Sequence, residues 1–226
     1  MSYVVLASVG GALAILVAVM LLRRPTRTVT PTRPPAADLA FRRGWQASGD
    51  PPPEVSREVA WLWSAYHLEH APAPHMQLFV TWSYAGLAGG LPVYVADVSV
   101  AAEGMDLSRY PGGGLVVTQL PAPHGGPVRV IRRPSGLLPV GAWRSGVPAF
   151  DDWFRVDAPA PGTAPHLLDR PIAAAMAARG DWNFGIHHNR LICLLTAPFT
   201  APVQIESTVD TVSTLAGMLP RPLYRR

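Results

Sequence analysis

The feature that most constrains this chain is an uninterrupted apolar run of twenty residues near its start. Residues 3–22 read YVVLASVGGALAILVAVMLL and contain no ionisable side chain. As a helix that rises about 1.5 Å per residue, the run is about 30 Å long and matches the hydrocarbon core of a bilayer. Backbone polar groups cannot stay unpaired in lipid, so we predict a transmembrane helix within residues 1–22. Its length and lack of charge disfavour the alternative, a buried core helix.

The residues that flank the run predict its orientation. Only Met1 and Ser2 precede it, whereas Arg23, Arg24 and Arg27 follow it at once. Because positive charge is retained on the cytoplasmic side, we predict a single-pass protein of the cell (inner) membrane with its N-terminus outside and its C-terminal domain in the cytoplasm. A cleaved signal peptide would carry its basic residues before a shorter apolar stretch, and this run has neither property.

A basic, proline-rich linker over residues 23–36 is predicted to follow the helix. Between residues 23 and 43 a single acid, Asp38, stands among six arginines: Arg23, Arg24, Arg27, Arg33, Arg42 and Arg43. A basic residue near an anionic leaflet contributes about 1 kcal/mol, so we expect Arg23, Arg24, Arg27 and Arg33 to contact lipid head groups. The alternative is that these arginines only set the orientation of the helix in the membrane and do not contact lipid. Nucleic acid is not an expected partner, because the downstream arginines are scattered and no recognition motif accompanies them.

Small residues recur along one face of the apolar run, at Gly10, Gly11, Ala14 and Ala18. Such faces let two helices approach closely in lipid, which predicts packing against another integral membrane protein. The alternative is that alanine and glycine are simply common in transmembrane helices.

Residues 37–226 are enough for one domain, and the 25 prolines and 20 glycines of the chain indicate many turns and short elements. Helices are predicted over residues 37–43, 54–70 and 203–219, and over 164–179 with a kink or break at Pro171. Strands are predicted over residues 77–84, 92–101, 114–120, 128–132 and 153–156, followed by a tight hairpin around Asn189. This order predicts an α+β domain with a largely antiparallel sheet flanked by helices.

Residues capable of chemistry are present without the spacing that chemistry requires. His67, His70 and His75 lack the H-E-x-x-H pattern of zinc proteases, and His187 and His188 are expected on opposite faces of a strand. Cys193 lies in the apolar run LICLL and is predicted to be a small buried hydrophobe. Asp151 and Asp152 are adjacent and are expected to alternate along a strand instead of pairing as acid and base. We therefore predict no catalytic, cofactor-binding or metal-binding residues.

The layout of the whole chain resembles a group of single-pass, membrane-anchored actinobacterial proteins, and it is similar to the mycobacterial trehalose monomycolate transport factors. The segments that carry this resemblance are FRRGW (41–45), GLPVYVADVS (90–99), GLVVTQLP (114–121), FDDWFRV (150–156) and WNFGIHHNRL (182–191). The resemblance implies a single-pass anchor, an α+β domain and a role as partner of other membrane proteins.

Three classes of function are compatible with these features. The first is a non-enzymatic, membrane-anchored accessory or scaffold protein of a membrane complex, which the resemblance connects with cell-envelope lipid transport. The second is a small-ligand or lipid-binding domain tethered to the inner leaflet, suggested by seven Trp, six Tyr and six Phe. The third, an enzyme, lacks any supporting motif. We expect the first, with no cofactor.

The predicted topology places the C-terminus in the cytoplasm. A reporter fused after Arg226 should therefore fluoresce if it is a cytoplasmic reporter, and should be inactive if it is alkaline phosphatase, which needs export to fold. The opposite pair of readouts would place the domain outside the membrane.

Overall fold

An eight-stranded antiparallel sheet organises the chain. The computed structural model describes residues 34–67, 76–102, 112–121, 123–124, 127–133, 143–158 and 163–220. The strands are β1 (Gln46–Ala47), β2 (Met76–Ala88), β3 (Leu91–Ala102), β4 (Gly113–Gln119), β5 (Val128–Arg132), β6 (Phe154–Asp157), β7 (Trp182–His187) and β8 (Arg190–Leu195). Their order across the sheet is β1-β2-β3-β4-β8-β7-β5-β6, and every neighbouring pair is antiparallel.

Helices cover both faces of this sheet. They are α1 (Ala37–Arg43), α2 (Pro53–His67), α3 (Pro148–Asp151), α4 (Thr163–Leu167), α5 (Arg170–Ala177) and α6 (Pro202–Met218). Helix α2 packs on one face, and the buried residues of the other five helices join the core of the opposite face. The predicted α+β class with an antiparallel sheet and flanking helices is confirmed.

Alternation along the central strands supplies both cores. On β3, Val93 and Val95 belong to the core under α6, whereas Ala96, Val98 and Val100 belong to the core under α2. Strand β2 pairs with β3 along its length, and the register shifts between Val80 and Trp82. Because side chains on a strand alternate between faces, a central strand with a core on each side must be apolar at successive positions.

The hairpin between β2 and β3 differs from the sequence-based expectation. The strands predicted over residues 77–84 and 92–101 leave residues 85–91, with three glycines, as a loose connection, but the strands continue to a tight turn at Gly89 and Gly90, whose φ angles are 57° and 79°. Gly86 lies inside β2, because the indole of Trp45 occupies the place of its missing side chain: an added Cβ would lie 2.0 Å from Trp45 Cδ1. The indole nitrogen donates a hydrogen bond to the Leu87 carbonyl at 3.1 Å.

The predicted break near Pro171 is confirmed. Helix α4 ends at Leu167, and α5 begins at Arg170 after Asp169, whose side chain accepts a hydrogen bond from the Ile172 N–H. We expected the helix to run to residue 179 with Gly180 as its cap, but α5 ends at Ala177 and its C-cap is Ala178.

The expected strand alternation of Asp151 and Asp152 is also wrong. Asp151 ends α3, Asp152 follows it, and β6 begins only at Phe154. The Asp151 carboxylate accepts hydrogen bonds from the Ser145 N–H and hydroxyl and from the Gly146 N–H, so it shapes a loop.

Replacing Gly86 by Ala should destabilise the domain by about 1–3 kcal/mol, because the new methyl group has to displace the Trp45 ring. Urea unfolding of the full chain in detergent, followed by tryptophan fluorescence, measures the change. Gly49→Ala is the matched control, since nothing lies within 4 Å of the added Cβ at that position. Equal free energies of unfolding for the two variants would contradict the role assigned to Trp45.

Candidate interaction groove

Helices α5 and α6 border a surface groove of about 660 Å³. We call it the α5–α6 groove; it is lined by Ala175, Ala178, Arg179, Val203, Glu206, Ser207, Asp210, Thr211, Thr214, Leu215 and Met218. It is the site in the described part of the chain that best fits a role in binding another macromolecule.

The sequence of each helix explains why a groove remains between them. Helix α6 turns its apolar face to the sheet, with Ile205, Val209 and Val212 buried. Helix α5 is short, and the groove-lining residues at its C-terminal end are Ala175, followed by Ala178 just beyond the helix. Alanine side chains are too small to fill the space beside α6, so the channel stays open.

The wall of the groove is more apolar than its sequence suggests. The hydroxyls of Thr211 and Thr214 donate to the carbonyls of Ser207 and Asp210, one turn earlier, at 2.8 Å each. Their donors are therefore engaged within the helix. Val203 and Met218, at the two ends of the groove, are 70% and 37% exposed. They are separated by about 22 Å at the helical rise per residue, a length that suits a partner helix.

Ionic contacts join α1 to the side of α6. Arg43 Nη2 lies 2.5 Å from Glu206 Oε1 and 3.9 Å from Asp210 Oδ1. The hydrogen bond from Arg43 lowers the pKa of Glu206 below its usual range. Arg43 was counted with the arginines beside the membrane, but its guanidinium pairs with Glu206 on α6.

A buried carboxylate anchors the segment that leads into α6. Asp97 Oδ1 accepts a hydrogen bond from the Phe199 N–H at 2.9 Å, and its side chain also accepts one from Trp82. The ring of Phe199 lies against Gly114, where an added Cβ would be 2.8 Å from the ring. Burial is the main cause that raises the pKa of Asp97 to about 6, against the lowering effect of these hydrogen bonds.

A second concavity, of about 230 Å³, lies between the start of α2 and the sheet. We call it the Tyr94 pocket; its lining is mostly apolar and includes Pro51, Pro52, Val55, Tyr94, Val117 and Arg190. Arg190 Nη1 lies 2.6 Å from Glu54 Oε1, so a charged pair stands beside an apolar space.

The residues predicted to act in the membrane lie outside the described residues. These are Gly10, Gly11, Ala14 and Ala18 for helix packing and Arg23, Arg24, Arg27 and Arg33 for lipid contact, and they remain predictions. Within the described ranges, no helix is both long and apolar enough to cross a membrane.

The structure also shows where several of the candidate histidines and the single cysteine lie. His67 ends α2, while His70 and His75 lie outside the described residues. The rings of His187 and His188 stack 4.3 Å apart, so their expected placement on opposite faces is wrong; His188 occupies the hairpin turn with a φ of 54°. Cys193 is fully buried, as predicted, and burial raises the pKa of its thiol. No cluster of three metal-ligating side chains occurs among the described residues.

Sequence reasoning did not find the groove. The available signal was the row of small and polar residues along α6, from Ser207 through Thr211 to Thr214. That row, however, resembles any solvated helix face, and the groove exists only because α5 is short and lies alongside.

No protein-family model and no curated protein matches the chain. Among solved structures, the fold is similar to the crystal structure of the mycobacterial trehalose monomycolate transport factor A, TtfA, with a TM-score of 0.52 and 13% sequence identity. The similarity covers 84% of this chain and 96% of that chain. At this identity it concerns the fold.

Asp97 should make the stability of the domain depend on pH. Its folded pKa of about 6 lies above the ordinary value of 3.8, so the unfolded state releases the proton first as pH rises. The contribution of Asp97 is therefore greatest below pH 3.8, is lost progressively up to about pH 6, and is constant above. Asp97→Asn keeps an acceptor oxygen and should remove this decline.

The difference in unfolding free energy between wild type and Asp97→Asn, measured by urea unfolding from pH 3.5 to pH 7.5, tests this prediction. The exposed Asp50 gives the control variant, Asp50→Asn, whose profile should follow the wild type. Parallel profiles for wild type and Asp97→Asn would refute the prediction.

Proposed function

We propose that this chain is a non-enzymatic, membrane-anchored accessory protein of a membrane complex that serves cell-envelope lipid transport. The observation that carries the proposal is the fold, an eight-stranded antiparallel sheet between helices, which is similar over most of both chains to a trehalose monomycolate transport factor. The membrane anchor is supported by the length and hydropathy of the apolar run at residues 3–22.

The α5–α6 groove supplies a surface for such a role. An accessory protein acts through contacts, and contacts with a helix need a channel with apolar walls and exposed apolar ends. The groove has Val203 and Met218 exposed at its ends, and its walls combine alanine and leucine with polar and charged side chains from both helices. We assign as its occupant a helix of the integral membrane partner that extends into the cytoplasm.

The Tyr94 pocket favours a second candidate, a lipid-binding or small-ligand domain at the inner leaflet. Its volume of about 230 Å³ accommodates a short alkyl segment, and the Arg190–Glu54 pair beside it offers a polar anchor. A protein working through this pocket would not depend on the groove, so variants of the groove distinguish the two candidates.

Depletion of the protein in its source organism should slow the arrival of newly labelled trehalose monomycolate in the outer envelope. Complementation with Ser207→Lys/Thr214→Lys should fail, because two exposed groove residues then carry long charged side chains. The control, Gln46→Lys/Gln77→Lys, adds the same charge at exposed positions on the strands β1 and β2 and should complement. Pulse labelling followed by lipid extraction gives the measurement.

The outcomes separate the two parts of the proposal. Normal transport in depleted cells would refute the transport function. Impaired transport that both lysine variants restore equally would leave the function and refute the groove as the contact surface. In that case the Tyr94 pocket becomes the site to test.

A further inference from the structure

Arg133 is a cation buried with incomplete hydrogen bonding at the end of β5. The residue is only 7% exposed, and its Nη2 donates to the carbonyls of Asp151 and Asp152 at 2.8 and 2.7 Å. Its Nε and Nη1 are buried, and neither has a hydrogen-bond partner among the described residues. Donors of a buried cation are rarely left unpaired, because their lost hydration is not replaced.

Two more arginines share the surroundings of Arg133. Arg155 pairs with Ile131 across the β5–β6 ladder, and the Arg133 N–H donates to the Trp153 carbonyl, so Arg155 and Arg133 are diagonal neighbours on adjacent antiparallel segments. Arg144 lies in the segment before α3. Burial is the main cause that lowers the pKa of Arg133; Asp152 opposes the shift, and the charges of Arg144 and Arg155 lower the pKa further.

The nearby acids neutralise this cluster only in part. Asp151 is engaged by three donors from Ser145 and Gly146. Asp181 pairs with Arg132 at 3.1 Å. Asp152 is thus the acid whose negative charge stabilises the Arg133 cation, while the positive charges of Arg144 and Arg155 oppose it.

An exposed aromatic residue follows the two residues whose carbonyls bind Arg133. Trp153 is 49% exposed, and its carbonyl accepts a hydrogen bond from the Arg133 N–H at 2.8 Å. The guanidinium of Arg132 lies 5.6 Å from the centre of the Trp153 ring. Tryptophan exposed beside cations is typical of surfaces that meet an amphiphile at its polar end.

We propose that Arg133, Arg144 and Arg155, with Trp153 at the rim, bind the oxygens of a phosphate ester. Guanidinium groups donate in a planar fork that suits phosphate, and several of them match its charge of about −2. The ester is either the head group of an anionic lipid or a free phosphorylated molecule. This arginine–tryptophan site does not depend on the function proposed for the α5–α6 groove.

The test uses the full chain in nonionic detergent at constant ionic strength, with sn-glycerol 3-phosphate and dihexanoyl phosphatidic acid as probes. We expect at least one probe to raise Tm and to bind with an affinity at least about tenfold higher than it shows for Arg144→Gln/Arg155→Gln. That double variant removes arginines for which no structural hydrogen bond is seen among the described residues. Arg133→Gln alone would be ambiguous, because Nη2 also supports the backbone of the α3 end.

The matched control is Arg42→Gln/Arg57→Gln, which removes two exposed arginines elsewhere and should bind both probes like the wild type. Binding of glycerol phosphate indicates a free phosphate ester, and binding of the lipid alone indicates a head group; either supports the site. If the lipid binds, Trp153→Ala should weaken it, and an unchanged affinity would remove Trp153 from the site. Failure of both probes, or equal losses in the two double variants, would overturn the proposal.

Discussion

A sheet covered on both faces is the constraint on which the rest of this structure depends. Strands β4 and β8 lie at its centre, and their residues are buried at successive positions from Gly113 to Thr118 and from Leu191 to Leu195. Helix α2 has to cover one face and α6 the other, since neither face tolerates water. Polar groups that enter this layered core must therefore find partners inside it.

The ion pair between Glu58 and Arg129 illustrates that requirement. Glu58 is 3% exposed on α2, and Arg129 on β5 binds it through Nε at 2.6 Å and Nη2 at 2.9 Å. The guanidinium also lies 4.1 Å from the Trp61 ring. A buried pair of this kind is weak evidence for stability, but losing one partner leaves an uncompensated charge. The pair thus fixes the position of α2 over β5 and β7, where Gly185 gives Leu62 and Glu58 room to approach.

Local chemistry was predictable from the sequence, and long-range contacts were not. Helix α1 and its end at Gly44 were predicted because the apolar pattern and the glycine act within one turn; Gly44 has a φ of 66°. Gly86 was expected in a loop, since nothing near it in sequence reveals that Trp45 fills its place. In the sequence Asp97 is one residue of a predicted strand. Its hydrogen bond to Phe199 joins residues 102 positions apart, and no local pattern indicates it. The α5–α6 groove and the unpaired donors of Arg133 likewise arise from apposition of distant segments.

The two proposed surfaces are built from different residues, which bears on how they could act together. The groove is bordered by α5 and α6, whereas the arginine–tryptophan site surrounds the end of β5 and the turn between α3 and β6. A partner helix in the groove therefore leaves the arginine–tryptophan site open, and a phosphate ester at Arg133 leaves the groove open. The fold can thus hold a protein partner and a phosphorylated ligand simultaneously, and helices α3 and α5, which contact each other, connect the two sites.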